Sequence, residues 1–170
     1  MKSKLFLFAI IYSALSILSI CIAFYGGYIH LLNYVYLFSL LGLLPFVLLA
    51  VKTFRDKENG GVLSGKEAFK AGLKCVVSSA IILSVFQAVF FTLDFKEYKI
   101  SYMRTIGPEA IKKEISRGLL KAKESEIPAI INNDIEQVTL FYEITGVLFK
   151  TIAYGLFCSF IAAVFFKRTS

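Results

Sequence analysis

Residues 5–51 read LFLFAIIYSALSILSICIAFYGGYIHLLNYVYLFSLLGLLPFVLLAV, forty-seven residues without one aspartate, glutamate, lysine or arginine. An α-helix rises about 1.5 Å per residue, so it needs about 20 apolar residues to cross the hydrocarbon core of a bilayer. The stretch supplies two such crossings and a short turn at Gly26 and Gly27, where glycine permits unusual backbone angles. It therefore predicts transmembrane helices at about 5–25 and 31–51.

Two further apolar stretches occur later in the chain, at about 75–93 and 146–166. The composition agrees, since 57% of the residues are hydrophobic and the mean hydropathy is +0.70. Ile20 precedes Cys21 where a lipoprotein signal needs a small residue, which favours an uncleaved first helix. We therefore expect one membrane domain over 1–170, an all-α integral membrane bundle of four transmembrane helices.

The orientation of the bundle follows from the lysines and arginines, which resist translocation. With four spans, residues 1–4, 52–74 and 167–170 share one side, and they carry ten basic and three acidic residues. The segment 94–143 lies on the other side with eight basic and nine acidic residues. Both termini are therefore expected in the cytoplasm, with 52–74 as a cytoplasmic basic turn and 94–143 outside the cytoplasm.

The basic turn contains a helix start and a strip of lysines. Ser64 and Glu67 form a capping-box pattern, which predicts that the third helix begins before it enters lipid. Lys66, Lys70 and Lys74 recur every fourth residue and could contact anionic head groups, although ordinary topology control also explains them. The basic residues lie mostly beside apolar spans, so lipid is a nearer partner than nucleic acid, which we do not expect.

The same turn contains most of a phosphate-binding loop, Gly60-x4-Gly65-Lys66. The residue that follows is Glu67, where magnesium binding requires a hydroxyl, and no buried strand precedes the glycines. A carboxylate at that position would repel phosphate. Nucleotide binding is therefore not expected.

The segment 94–143 is expected to be partly helical and extracytoplasmic. Pro108 and Glu109 open one helix, which carries Ile111, Ile115 and Leu119 on one face as a candidate partner surface. Ile127-Pro128 opens a second helix, and no clear stop follows. The pattern therefore predicts one long helix from near Pro128 to Phe166.

Small residues recur every fourth position in two spans, and such series let helices approach closely. They are Gly155, Ser159 and Ala163 in the fourth span and Ala80, Ser84 and Ala88 in the third. Packing of one helix on another within the chain is the favoured interpretation. A dimer interface or a pore lining is the alternative.

Two polar residues within the spans are candidates for a transport pathway, Gln87 and Lys150. Lys150 lies about one turn from the outer boundary, so its ammonium can reach water by snorkelling, with Glu143 as a partial partner.

Pro45 removes one backbone donor from the second span and predicts a kink near Leu41.

Residues that carry familiar chemistry are scarce. His30 has no serine, cysteine or carboxylate close in sequence to orient it, and no Cys/His cluster or carboxylate within a span is found in the sequence. We therefore expect that the protein is not an enzyme and that it has no cofactor and no metal site. We also expect no disulfide among Cys21, Cys75 and Cys158.

Three motifs stand out in combination: FRD-x3-GG at 54–61, KEAFKAGL at 66–73, and YGL-x2-SFIAA at 154–163 with Lys167-Arg168 behind it. They resemble the small four-helix membrane proteins of Bacteroidetes-type bacteria grouped as domain of unknown function 4199. The resemblance covers nearly the whole chain and implies four spans and a bacterial inner membrane. It implies no reaction and no catalytic residues.

Together these patterns predict an accessory or structural membrane protein that acts through protein or lipid contacts. Its expected partners are anionic head groups and a membrane protein or further copies of itself. The alternative is a small homo-oligomeric transporter or channel subunit, which the small-residue series and Gln87 permit.

Overall fold

The computed structural model describes residues 3–28 and 31–167. In this part of the chain the regular structure is helical, with no β-strand. The helices are α1 (Ser3–Tyr25), α2 (Leu32–Glu58), α3 (Gly65–Phe90), α4 (Lys96–Thr105), α5 (Gly107–Ser116), α6 (Ile127–Glu136) and α7 (Leu140–Phe166). A π-helical segment (Phe91–Phe95) joins α3 to α4, and a short 3₁₀ turn (Glu124–Glu126) precedes α6.

Four helices are long and apolar enough to cross a membrane. They are Lys4–Tyr25, Leu32–Glu58, the uninterrupted run Gly65–Thr105, and Leu140–Phe166. The predicted all-α membrane fold with four spans is confirmed. Of the residues used in the sequence analysis, Lys2, His30 and Arg168 lie outside the described residues.

The chain divides into two compact units. The bundle unit comprises residues 1–86 and 147–170, and the inserted unit comprises residues 87–146. The inserted unit contains the whole of the segment 94–143, which the charge pattern separated from the spans. The predicted span limits remain predictions, because helix ends alone do not locate the surface of a bilayer.

The core of the bundle unit consists of small and aliphatic side chains from its four long helices. Fully buried members are Ala9, Leu43, Val47, Ala50, Val51, Ala68, Cys75, Val76, Cys158 and Ala162. The Tyr12 hydroxyl of α1 donates to the Ser39 carbonyl of α2 at 3.1 Å. Large apolar side chains such as Phe38 and Phe160 are exposed, as expected where hydrocarbon rather than water is the solvent.

The start of α3 confirms the predicted capping box. The Glu67 backbone N–H donates to Ser64 Oγ at 3.3 Å, and the Ser64 backbone N–H donates to Glu67 Oε2 at 3.0 Å. The hydrogen bond from this backbone N–H lowers the pKa of the Glu67 carboxyl. The helix therefore begins at Gly65, ten residues before the apolar stretch at Cys75.

Helix α2 runs through Pro45 to Glu58, so the proline does not end the helix. The kink expected near Leu41 stays a prediction. The chain leaves α2 through Gly60 and Gly61, whose φ values of 62° and 84° are in the left-handed region. Gly61 donates its backbone N–H to the Arg55 carbonyl at 2.9 Å, which satisfies one of the carbonyls left free at the helix end.

The inserted unit contains one helix more than the sequence analysis predicted. Charged residues at Asp94, Lys96 and Glu97 mark the end of an apolar span, but they do not end a helix. No glycine or proline occurs between Gly72 and Gly107, so nothing local breaks the helix. The helical run therefore continues through the π-helical segment into α4.

The predicted long helix from near Pro128 to Phe166 was wrong. Helix α6 ends at Glu136, and α7 begins at Leu140. Thr139 caps α7, because its Oγ1 accepts the Tyr142 backbone N–H at 3.3 Å. The signal that the sequence analysis missed is this threonine at an N-cap position.

The helical face predicted for Ile111, Ile115 and Leu119 also needs correction. Helix α5 ends at Ser116, and Gly118 follows with φ 69°. The Leu119 N–H donates to the Glu114 carbonyl and the Gly118 N–H to the Ile115 carbonyl, both at 3.0 Å, which is a Schellman motif. Leu119 therefore lies beyond the helix and is not on its face.

Candidate functional site

The lysine strip on the first turns of α3 is exposed on the surface of the structure. Lys66, Lys70 and Lys74 are all accessible to solvent, whereas Ala68 and Ala71 between them are buried in the core of the bundle unit. Residues four apart lie on one face of a helix. The structure therefore separates a cationic face from a packed face on the same three turns.

The predicted small-residue series in α7 packs against α3 inside the bundle unit. A Cβ atom added at Gly155 would lie 2.1 Å from Val76 Cγ1, and one added at Gly72 would lie 2.9 Å from Ser159 Oγ. Ser159 Oγ is satisfied within its own helix, since it donates to the Gly155 carbonyl at 2.8 Å. Ala163 is buried in the same core. This contact, which we call the α3–α7 seam, is a packing feature.

The second series, in α3, contains a buried hydroxyl without a partner. Ala80 is fully buried, Ser84 is 8% exposed and Ala88 is half-buried. Within the described part of the chain, Ser84 Oγ and Ser13 Oγ have no hydrogen-bond partner. Ser79 differs, because its Oγ donates to the Cys75 carbonyl at 2.9 Å. Two polar atoms of the bundle interior therefore retain unused hydrogen-bonding capacity.

Gln87, Lys99 and Glu143 form a polar cluster within the inserted unit. Lys99 Nζ forms an ion pair with Glu143 Oε1, and Gln87 Nε2 lies 3.5 Å from Glu143 Oε2. The side chains of Lys99 and Glu143 are 25% and 12% exposed, and Gln87 is 2% exposed. We call this group the Glu143 cluster. It brings together the end of α3, the middle of α4 and the first turn of α7.

The π-helical segment lies between Gln87 and Lys99 of this cluster. The Lys96 N–H donates to the Phe91 carbonyl, five residues back, and the Thr92 hydroxyl donates to the Ala88 carbonyl at 3.0 Å. The rings of Phe90 and Phe95 stack with centroids 5.2 Å apart, as five-residue spacing in a π turn allows. The segment is therefore supported by both hydroxyl and ring contacts.

The predicted partner of Lys150 was wrong. Glu143 pairs with Lys99, 44 residues away in the chain, and not with the lysine two turns along its own helix. Lys150 is exposed on α7. Its assignment to a pathway stays a prediction, and Gln87 now has a defined neighbour in Glu143.

The candidate partner surface on α5 is smaller than expected. Ile111 and Ile115 are half-buried, and α5 packs against α6. Leu119 is 73% exposed. An open groove of about 360 Å³ lies nearby in the inserted unit, lined by Arg104, Pro108, Glu124, Ile127, Pro128, Ile131 and Asn132.

The side chains that could ligate a metal ion or form a disulfide are dispersed. Within residues 3–28 and 31–167, no group of three or more histidine, cysteine, aspartate or glutamate residues could hold a metal ion. Cys21, Cys75 and Cys158 are free thiols. Cys75 and Cys158 are buried in the core of the bundle unit.

Comparison with known proteins identifies a family. Searches of curated proteins and of solved structures found no match. A family model matches residues 6–168, which includes all seven helices except the first residues of α1. The chain therefore belongs to the family described as protein of unknown function DUF4199.

Proposed function

We propose that this chain is an accessory protein of the bacterial inner membrane that acts through contacts with lipids and with other proteins, and that it is not an enzyme. In this proposal both termini lie in the cytoplasm, which the excess of basic residues in the segments 1–4, 52–74 and 167–170 supports. The observation that carries the proposal is the accessible lysine strip Lys66, Lys70 and Lys74 over a packed face of α3.

The lysine strip is suited to anionic head groups for two reasons. In the described parts of the chain its three ammonium groups form no ion pair, and Lys70 alone of the three interacts with the nearby Glu67 carboxylate, so Lys66 and Lys74 remain fully available to an external anion. The opposite face of the same turns is fixed by buried Ala68 and Ala71, so the strip has a defined orientation. Each basic residue near an anionic membrane surface contributes about 1 kcal/mol of attraction.

The lipid contact can be tested with two triple variants of the full chain. One replaces Lys66, Lys70 and Lys74 with glutamine, and the matched control replaces them with arginine. Both are reconstituted in phosphatidylcholine vesicles with and without phosphatidylglycerol, and thermal unfolding is measured. We expect phosphatidylglycerol to stabilise the parent and the arginine variant but not the glutamine variant. Equal stabilisation of all three would contradict the proposal.

The protein contact is assigned to Ile111 and Ile115 on α5. Native mass spectrometry of the protein extracted gently from its own membrane would show a second protein at fixed stoichiometry. Ile115→Asp should abolish that complex without affecting membrane insertion, since a buried carboxylate at an apolar contact is unfavourable. A complex that survives the substitution would rule out this surface.

A small homo-oligomeric transporter or channel subunit is the second candidate function. The observation that favours it is the pair of buried, unpartnered hydroxyls at Ser13 and Ser84 in the described part of the bundle interior. Flux of small polar solutes from vesicles containing the purified protein would support this function. Gln87→Leu and Lys150→Met would then identify which of the two candidate pathway residues carries the flux.

A further inference from the structure

The loop Arg117–Lys123 in the inserted unit exposes one leucine among basic residues. Leu119 is 73% exposed, and Arg117, Lys121 and Lys123 on either side of it are exposed as well. Over residues 112–123 the chain carries five basic residues and one acidic residue. We call the loop 117–123 the basic loop. The basic loop therefore has an apolar side chain, Leu119, at its tip and basic side chains around it.

The position of Leu119 is fixed by the backbone. Gly118 takes φ 69°, and the two Schellman hydrogen bonds hold the turn to the last residues of α5. At the far end, the Lys123 backbone N–H donates to Glu126 Oε2 at 2.9 Å, which joins the loop to the turn that precedes α6. Both ends are therefore anchored, and the exposed leucine is held at a defined place.

Leu119 lacks the contact that normally accompanies this motif. The residue after the left-handed glycine usually packs against an apolar side chain one turn back in the helix. Here the residue at that position is Glu114, whose carbonyl accepts the Leu119 N–H, so no apolar partner is present there. The leucine is therefore not used to stabilise the end of α5.

The charges around the tip are available to an external anion. Lys112 pairs with Glu124 at 3.4 Å, and the Glu126 carboxylate accepts the backbone N–H of Lys123. The side chains of Arg117, Lys121 and Lys123 form no ion pair within residues 3–28 and 31–167. A partner that binds this surface must therefore be anionic and must contain an apolar region that Leu119 can enter.

We propose that the basic loop docks on an anionic bilayer surface, with Leu119 inserted at the level of the acyl chains and Arg117, Lys121 and Lys123 on the phosphates. A lipid surface supplies both required features, since phosphates lie above hydrocarbon within the length of a lysine side chain. This surface is distinct from the lysine strip, so the inference stands whether or not that strip binds lipid.

The absence of tryptophan from the sequence gives a direct test. Leu119→Trp introduces a single tryptophan into the full chain, and its emission can be excited separately from that of the nine tyrosines. Asp134→Trp, at an exposed position on α6, is the matched control. Each variant is reconstituted in phosphatidylcholine vesicles containing phosphatidylglycerol, with or without brominated acyl chains as quenchers. We expect blue-shifted emission from Leu119→Trp and quenching at least about twofold stronger than for the control.

Charge variants of the basic loop distinguish insertion into lipid from burial against protein. Replacing Arg117, Lys121 and Lys123 with glutamine in the Leu119→Trp background should reduce the quenching to the level of the control, whereas Arg117→Lys with Lys121→Arg and Lys123→Arg should preserve it. Quenching equal to that of Asp134→Trp would overturn the proposal. So would a blue shift without quenching, which would indicate burial against protein, and so would quenching that is unaffected by loss of the three charges.

Discussion

The α3–α7 seam and the Glu143 cluster hold their units together by different means. The seam consists of Gly72, Val76, Gly155 and Ser159, and in the described structure no hydrogen bond joins these residues across the two helices. The Glu143 cluster depends on an ion pair and an amide that are mostly removed from solvent. The seam therefore depends on the close fit of its side chains, and the Glu143 cluster depends on the attraction between opposite charges. Substitutions that change only volume or only charge should affect one region and not the other.

The largest effect is expected from Gly155→Ala in the seam. The new Cβ would lie within 3 Å of three atoms of Val76, whose β-branched side chain has little freedom to move. We expect the free energy of unfolding, measured by titration with a denaturing detergent, to fall by about 3 kcal/mol.

Two comparisons test whether this loss arises from the steric clash at Val76. Gly42→Ala is the matched control, because nothing lies within 4 Å of its added Cβ, and it should leave the free energy of unfolding unchanged or raise it. The double variant Gly155→Ala with Val76→Ala should regain more than half of the loss. Equal effects of Gly155→Ala and Gly42→Ala would show that the seam is not close-packed.

A smaller effect is expected from Glu143→Gln in the cluster. The substitution preserves shape but leaves the Lys99 ammonium, 25% exposed, without its counter-charge. We expect the opening free energy of α4, measured by amide hydrogen exchange, to fall by about 1.5 kcal/mol, with exchange in the seam unchanged.

The exposed pair Lys112–Glu124 provides the control for Glu143→Gln. Its side chains are 61% and 64% exposed, so Glu124→Gln should change the opening free energy of α5 by no more than about 0.5 kcal/mol. Lys99→Met together with Glu143→Leu should recover stability. A loss that persists in this double variant would mean that the cluster acts by more than its charge pair.

The two helix caps provide a matched comparison between the units. Ser64→Ala at the start of α3 and Thr139→Ala at the start of α7 should each cost about 1 kcal/mol, measured by hydrogen exchange of first-turn amides. Their pH dependence should differ. The pKa of Glu67 is lowered in the folded state, so its contribution to the α3 cap is present at neutral pH and is lost as the pH falls through that lowered pKa.

The cap of α7 should not respond in this way. Thr139 Oγ1 accepts the Tyr142 N–H directly, without a carboxylate in the hydrogen bond. In the Glu143→Gln background, which removes the carboxylate of that turn, protection of the first turn of α7 should therefore be constant over the acid range in which the first turn of α3 loses protection. If the protection of both first turns declined in parallel, the cause would be general unfolding in acid and not the titration of Glu67.

The smallest effect is expected from Ser84→Ala. Its hydroxyl has no partner in the described structure, so removing it should leave the free energy of unfolding unchanged or raise it by about 0.5 kcal/mol. Ser79→Ala is the control, because that hydroxyl donates to the Cys75 carbonyl. A clear loss with Ser84→Ala would show that this hydroxyl has a partner after all.

Features that are local in sequence could be predicted. Charge-free stretches predicted four spans, and the spacing of Ser64 and Glu67 predicted the start of α3. Gly155 and Ser159 were identified as close-packing positions from their spacing along one helix, although the partner residues Gly72 and Val76 were not. Each of these signals depends on residues within a few turns of one another.

Features that depend on distant residues could not be predicted. The partner of Glu143 is Lys99, and nothing in the local sequence distinguishes it from Lys150. Leu119 fits the apolar spacing of α5, but Gly118 ends the helix before it, and this glycine was an available signal that the spacing obscured. Thr139 was a similar missed signal between α6 and α7.

The π-helical segment Phe91–Phe95 has a consequence for how the length of this chain can vary. A π turn accommodates one residue more than an α turn, and each residue of an α-helix rotates the following side chains by about 100°. Deleting one residue within the segment, for example Thr92, would allow it to close as a regular α turn and would leave Lys99 facing Glu143. The chain can therefore lose one residue in this segment without rotating α4, whereas a single-residue deletion in the α-helical part of the run Gly65–Thr105 would rotate the side chains beyond it by about 100°.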